Sequence, residues 1–273
     1  MNIGIIGQGF VGNAVYQKFK NFFNLYTFDI IEELSNSTFD ELAENCDVIF
    51  TCLPTPMNKD GSCDTSILND VLSRLNEITT AIIVNKSTIP PGTTENLNKY
   101  FGNIQIIFNP EFLTERNAVN DFNNQNRIIL GGPRPATTKI KQIYSTVFPD
   151  VHLIKTGSRH AEMIKYLTNC FLACKVSFAN EMFQLCKNLN LDYDKVIEYA
   201  TLDKRLGSSH WSVPGPDGDF GFGGHCFPKD LLAIIKLTDE LKTENNILKS
   251  INMTNDRLRK NRDWEKMKGR AVN

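Results

Sequence analysis

At 273 residues, 41% of them hydrophobic, and a formal net charge of −1, the chain can bury a sizeable core in one or two domains. That charge balance gives no reason to expect nucleic acid or an anionic membrane as partner, and no apolar run approaches the length of a membrane span. Seven cysteines without paired spacing, and an opening MNIGIIGQG that runs straight into a strand without a leader, point to a reduced cytoplasmic protein in which a thiol persists.

Short apolar runs then alternate with amphipathic stretches. The expected strands are NIGIIG (2–7), NLYTFD (24–29), CDVIFTCL (46–53), AIIVNKS (81–87), IQIIFNP (104–110) and RIILGG (127–132), with VHLI (151–154) as a further candidate. Between the first two, Val11–Phe23 reads as a helix with Val11, Val15, Phe19 and Phe22 on one face. Asp64 or Thr65 is placed to cap SILNDVLSRLNEI, and Pro90-Pro91-Gly92 breaks the chain before another helix. This alternation predicts an α/β fold: a Rossmann-type, doubly wound parallel sheet over residues 1–157. An all-α domain over 158–273 is expected to follow. From Ser158 to Leu191 no strong breaker occurs, and Met163, Leu167, Cys170, Phe171, Cys174, Phe178, Met182, Leu185, Cys186 and Leu189 recur at helical spacing. A helix of about 50 Å is longer than a small domain needs and suits a domain junction or a dimer interface. The stretch VPGPDGDFGFGG is too rich in Gly and Pro for regular structure, and 229–268 reads as helical again. Within it RLRKNRDWEKMKGR is locally basic but interrupted by Asp263 and Glu265, which predicts a solvated helix face.

Gly7-Gln8-Gly9-Phe10-Val11-Gly12 fits GxGxxG in the context that gives the motif meaning. It follows a strand, opens a helix and is followed by Asp29 at the end of the second strand. Glycines there allow a tight turn and bring a pyrophosphate to the helix N-terminus, while Asp29 suits an adenosine ribose and repels a 2′-phosphate, which favours NAD over NADP. Thr55, Thr88, Glu111 and Glu115 all fall just past strands, where an open α/β sheet binds its ligand. Each alone also fits a cap or turn. Lys165 and Asn169, four apart, share a helix face and could stabilise an oxyanion; on spacing alone, a surface lysine and a polar helix residue is the better reading. Cys170 and Cys174 lie on the apolar stripe without further ligands at metal spacing and read as core, so no metal site is expected. Cys226 stands apart in GFGGHCFPKD. If Phe227 starts a helix, the thiol sits at its N-terminus; Lys229 would favour a thiolate there and Asp230 oppose it. The loop points to a nucleophile, and on local chemistry also fits a tight turn around a small residue.

Taken together, GQGFVG, FTCLPTP, KSTIPPGTT, NPEFLTE, EMIKYLTNCFLACKVSFANE and GFGGHCFPKD resemble the UDP-glucose/GDP-mannose dehydrogenase family, in family order and over nearly the whole chain. With VPGPDG before the cysteine loop, the UDP-glucose branch is the nearer. Members of this family oxidise a sugar primary alcohol to a carboxylate with two NAD+ and no release of the aldehyde. The resemblance implies Cys226 as nucleophile, forming a thiohemiacetal and then a thioester, with Lys165 and Asn169 stabilising the substrate oxygen. It makes Asp230 and Thr88 holders of a water for proton transfer, and Glu111 the base that activates water against the thioester. It implies cofactor contacts from Gly7, Gly9, Phe10, Val11, Gly12, Asp29, Thr55, Thr88, Glu115 and Lys229. Substrate contacts are implied for Glu111, Phe112, Leu113, Lys165, Asn169, Phe222 and Gly223. Arg205 in KRLG would reach the substrate of a neighbouring subunit, in a homodimer formed through helix 158–191.

Two departures bear on this. The family usually continues into a second Rossmann-like domain that grips the nucleotide diphosphate, whereas this sequence ends at Asn273, so a weaker hold on UDP is expected. An arginine common past the ribose acid is replaced by Ile30-Ile31-Glu32-Glu33-Leu34, which predicts looser adenosine binding. Two other readings remain open at this point. A β-hydroxyacid-type dehydrogenase shares the Rossmann domain, the long helix and the Lys–Asn spacing, but oxidises once and needs no thiol. A non-catalytic NAD-binding subunit would instead pair with a full-length enzyme.

Overall fold

A computed structural model describes residues 1–273 and contains seven strands: β1 (Asn2–Ile6), β2 (Asn24–Phe28), β3 (Val48–Thr51), β4 (Ile82–Asn85), β5 (Gln105–Phe108), β6 (Arg127–Gly131) and β7 (His152–Thr156). They form one sheet in the order β2-β1-β3-β4-β5-β6-β7. Each lies within or against a run expected from the sequence. Pairing is parallel except between β5 and β6, which meet antiparallel at Phe108 and Gly131. The all-parallel expectation fails there because the 109–126 connection returns to the end of the sheet it left. The carboxyl ends of β1 to β5 therefore share one edge, and those of β6 and β7 face the opposite one.

The chain divides into two compact units, residues 1–55 with 65–165, and residues 56–64 with 166–273. In the first, alternate strand residues bury to opposite faces, as a period of two requires. Ile3, Ile5, Val48, Phe50, Ile128 and Leu130 pack with helices α1 (Phe10–Phe19), α5 (Ala118–Asn123) and α6 (Arg134–Val147). Ile6, Ile49, Ile83, Ile106 and Ile129 pack with α2 (Phe39–Asn45), α3 (Ser66–Ile78) and α4 (Thr93–Tyr100). Coverage of both faces makes the sheet doubly wound. Helix α3 has the bounds expected, but Thr65 at its N-cap makes no side-chain capping bond. α1 ends four residues short of Phe23, because the chain must turn back into β2 at Asn24; Phe22 is exposed rather than on the buried face. Thr38 and Glu41 form a capping box at the start of α2.

Helix α7 (Ser158–Asn188) is 31 residues long. Near its start the buried carboxylate of Glu162 accepts from Gly92 N at 2.6 Å and Thr94 N at 2.8 Å, satisfying amides at the N-terminus of α4. α7 stops at Asn188 instead of Leu191, because Asn190 takes a left-handed conformation (φ 57°) and Leu191 N bonds back to Cys186 O. Its apolar stripe is not all core. Cys170 and Cys186 are buried, whereas Met163, Leu167, Phe171, Phe178, Leu185 and Leu189 are exposed.

In the second unit, Tyr166, Cys170 and Ala173 of α7 pack against Phe222, against Leu231 and Ile234 of α9 (Phe227–Glu240), and against Ile251 of α10 (Asn246–Leu258). Ala179, Cys186, Trp211 and Val213 enclose Tyr193 at the start of α8 (Tyr193–Ala200). The helix expected over 229–268 is thus two helices, parted where Lys242 adopts φ 55°, with a 3-10 turn at Asp263–Lys266. The basic stretch from Arg257 leaves its helix at Leu258; Lys260, Arg262, Lys266, Lys268 and Arg270 are exposed as expected, whereas Arg259 is buried among carboxylates. No helix is long and apolar enough to cross a membrane.

Candidate active site

At the carboxyl edge of the sheet, β1 runs into Gly7, whose φ of +90° suits glycine alone, and α1 begins after Gly9. A Cβ on Gly12 would stand 1.8 Å from Gly7 O, so the first turn of α1 closes tightly on the strand end. Gly9 caps α1 without a side-chain bond, and a Cβ there would meet nothing within 4 Å. The helix N-terminus, flanked by Phe10 and Val11, therefore opens onto space, as a pyrophosphate requires. Asp29, just past β2, accepts from Gln8 N at 2.6 Å and from Ile31 N at 2.9 Å, so its carboxylate is fixed beside the glycine turn. Ile30, the next residue, is almost wholly exposed. These residues fit a dinucleotide.

Further along the same edge, Thr55 Oγ1 donates to Thr88 O at 2.8 Å, joining the loops after β3 and β4. After β5, Glu111 is buried and forms an ion pair with Lys165 of α7 (Oε1 to Nζ, 2.8 Å); Lys165 also donates to Glu111 O at 2.6 Å. Leu113 N donates to Glu111 Oε2 at 2.7 Å. Burial pushes the Glu111 carboxyl up, but Lys165, the Leu113 amide and Lys86 outweigh it and hold the group below the usual carboxylate range. The Phe112 ring lies 5.5 Å from Lys165 Nζ and 4.6 Å from the Arg127 guanidinium. Glu115 sits in the exposed 3-10 turn Glu115–Asn117.

In the second unit, Cys226 is the N-cap residue of α9, with Pro228 in the first turn, where its missing N–H costs nothing. The thiol is half-buried, and the helix N-terminus favours negative charge at the sulfur. Asp230, one turn into α9, is buried. Its Oδ1 lies 2.7 Å from Lys229 Nζ, and its Oδ2 accepts from Asn169 Nδ2 at 2.6 Å. Burial pulls the Lys229 ammonium down, yet Asp230, Cys63 and Cys226 overcome this and hold it above its ordinary value. Lys229 therefore serves Asp230 before it serves the thiol, which sequence spacing did not reveal.

The glycine loop before Cys226 is braced from α10 and the turn after it. Phe222 N donates to Asn255 Oδ1 at 2.8 Å, and Asn255 Nδ2 returns a bond to Phe222 O at 3.0 Å. Gly224 N donates to Asp263 Oδ2 at 3.1 Å, and Arg259 Nη2 bonds Asp217 at 2.6 Å and Asp263 at 3.2 Å. A Cβ on Gly223 would fall 2.2 Å from Arg259 Nη2, so that glycine makes room for the brace. Asn255 and Arg259 were not among the expected site residues; they lie four apart across the C-terminus of α10, Arg259 as its C-cap, and nothing in the sequence marks them. Lys86, enclosed at the end of β4, was missed too; its signal is a lysine that follows the apolar run Ile82-Ile83-Val84 after one intervening residue. Arg205, at 88% side-chain exposure, is bonded to Asp203 within its own 3-10 turn Lys204–Leu206.

Two family models match. The NAD binding domain of the UDP-glucose/GDP-mannose dehydrogenase family covers residues 27–148, and its central domain covers 159–257. The first gives NAD as the cofactor of the sheet. Among curated proteins, the UDP-glucose 6-dehydrogenase of Pseudomonas aeruginosa is 34% identical over 227 residues, 78% of this chain and 49% of the relative. The UDP-glucose 6-dehydrogenase AglM of Haloferax volcanii is 30% identical over 305 residues, 94% of this chain and 70% of the relative. A solved UDP-glucose dehydrogenase from Pyrobaculum islandicum superposes with a TM-score of 0.85 at 29% identity, covering 94% of this chain and 68% of that one. The chain spans about half the length of most of the curated relatives it matches. With both domain models in order along the chain and a relative matched over most of its own length, the chain belongs to the UDP-glucose/GDP-mannose dehydrogenase family.

Proposed function

We propose that this chain is an NAD-dependent nucleotide-sugar dehydrogenase that oxidises the sugar C6 alcohol to the carboxylate, with UDP-glucose as substrate and UDP-glucuronate as product. One observation carries the reading. Lys165 and Asn169 stand one turn apart on α7, and each bonds a buried carboxylate, Glu111 and Asp230 respectively. Each pairing sets a side-chain donor suited to a substrate oxygen against a carboxylate suited to hold a proton.

What NAD supplies when bound is the hydride acceptor for each oxidation. Thr88 and Asp230 hold the water that takes the alcohol proton, while Lys165 and Asn169 steady the developing charge on O6. Once the aldehyde has formed, Cys226 Sγ, as the thiolate that the last step regenerates, bonds to C6. The C=O pair moves to O6, again stabilised by Lys165 and Asn169, giving the thiohemiacetal. After its oxidation to the thioester, Glu111 takes a proton from the water that attacks C6; the C–S bond breaks and Cys226 leaves as thiolate. Phe112, Leu113, Phe222 and Gly223 shape the substrate side, while Thr55, Glu115 and Lys229 complete the cofactor side. We further infer a homodimer through α7 that brings Arg205 to the neighbouring substrate, in the cytoplasm, where a thiol stays reduced.

The test is NADH release against a panel of nucleotide sugars, with stoichiometry. Two NADH per UDP-glucose are expected in the native chain, and Cys226→Ser should abolish net acid formation. One NADH per sugar with Cys226→Ala fully active would favour single-step β-hydroxyacid-type chemistry instead. Tight NAD binding without NADH from any sugar would favour a non-catalytic subunit.

A further inference from the structure

Lys86 follows β4 directly and is 3% exposed, yet no step above uses it. Its Nζ donates to Asn109 Oδ1 at 2.9 Å and lies 3.4 Å from Asn109 O, both neutral oxygens, with the Phe122 ring centroid 5.6 Å away. Asn109 is otherwise held on every side. Its Oδ1 accepts from Tyr144 OH, its Nδ2 donates to Ile129 O at 2.8 Å, and its backbone N donates to Asn85 O at 2.8 Å. Two residues on stands Glu111, whose own carbonyl and carboxylate both meet Lys165.

An enclosed ammonium on neutral acceptors is costly, and uncharged groups already fix Asn109 without it. What Lys86 adds is charge. The titratable groups that face it are Cys52 after β3, Glu111 after β5 and Lys165 on α7, with Tyr144 of α6 reached through Asn109.

We propose that Lys86 is a positioning residue for Glu111: it anchors the Asn109–Glu111 turn and places a positive charge behind the Glu111 carboxylate, keeping it ionised and aimed for its work as a base. The inference rests on the reading of Glu111 given above. In support, burial draws the Lys86 ammonium down to about 8, with Cys52 and Glu111 pulling back and Lys165 adding to the fall, so it is charged through the acid range in which Glu111 titrates.

The experiment follows the Glu111 side-chain carboxyl by 13C NMR against pH, its resonance assigned with Glu111→Gln, in the native protein, Lys86→Met and Lys86→Arg. The midpoint should move up in Lys86→Met and return toward native in Lys86→Arg. The acid limb of NADH release should move with it, lowering kcat at acid pH while KM for NAD holds. Lys86→Gln, neutral but able to hydrogen-bond, makes the same measurement should the Met variant not fold. A native midpoint in a folded neutral variant overturns the proposal. A moved midpoint in a protein that releases no NADH supports the Lys86–Glu111 coupling and sinks the base assignment instead.

Discussion

A lysine enclosed at the end of β4 should cost stability at neutral pH, and the cost should fade as pH rises. Burial lowers the Lys86 pKa to about 8 from an ordinary 10.5. Between those values the unfolded chain binds more protons than the folded one, so folding gains stability as pH rises through the window. The penalty is present in full below pH 8. Lys86→Met removes the ionisation and should be more stable than native at pH 7, by up to about 3 kcal/mol, with the gap closing toward pH 10. Paired urea titrations at pH 7 and 10 measure it, and a gap that stays constant would contradict the assignment. Sequence motifs singled out Cys226, Asp230, Glu111, Lys165 and Asn169 as candidates, but not who meets whom. That Asp230 takes both Asn169 and Lys229 depends on α7 and α9 packing together, a long-range fact. Arg259 was unreadable for a related reason. In a run of basic residues nothing marks the one whose partners, Asp217 and Asp219, lie some forty residues earlier.

Elements were more legible than their surroundings. Strand positions emerged because fully covered strands read as short apolar runs between breakers. The antiparallel direction of β6 did not, since one strand's composition carries no direction. In α7 the helical period was plain, but an apolar residue at the right spacing is equally at home in a core or at an interface between chains. Leu167 (60% exposed), Phe171 (64%) and Phe178 (50%) recur at four and seven residues along one side of the helix. That is the pattern of a helix awaiting another helix. On the proposed dimer, Phe171→Asp should bury a carboxylate at the seam and shift the protein to monomer in sedimentation velocity, at concentrations where native is dimeric. The interior of the second unit, which this side chain faces away from, should melt as before. A native protein already monomeric at tens of micromolar would refute α7 as the dimer seam.

For the whole molecule, the sheet order β2-β1-β3 sets where a dinucleotide can lie. Chain direction away from the sheet reverses between β1 and β3, opening a crevice at their carboxyl ends, and the glycine turn after β1 and Asp29 after β2 border it. Binding there stabilises the folded chain by mass action, by about 2.7 kcal/mol at a hundred times Kd. NAD should therefore raise the melting temperature. At equal concentration NADP should raise it far less, because its 2′-phosphate would approach a carboxylate already fixed by two backbone amides and unable to turn away. Asp29→Asn keeps an oxygen for the Gln8 amide but removes the charge, so it should narrow the difference between the two cofactors by raising the NADP shift and lowering the NAD shift. Differential scanning fluorimetry with both cofactors and both proteins reads all four numbers at once. Equal NAD and NADP shifts in the native chain would remove Asp29 from the cofactor site, whatever the outcome at Cys226.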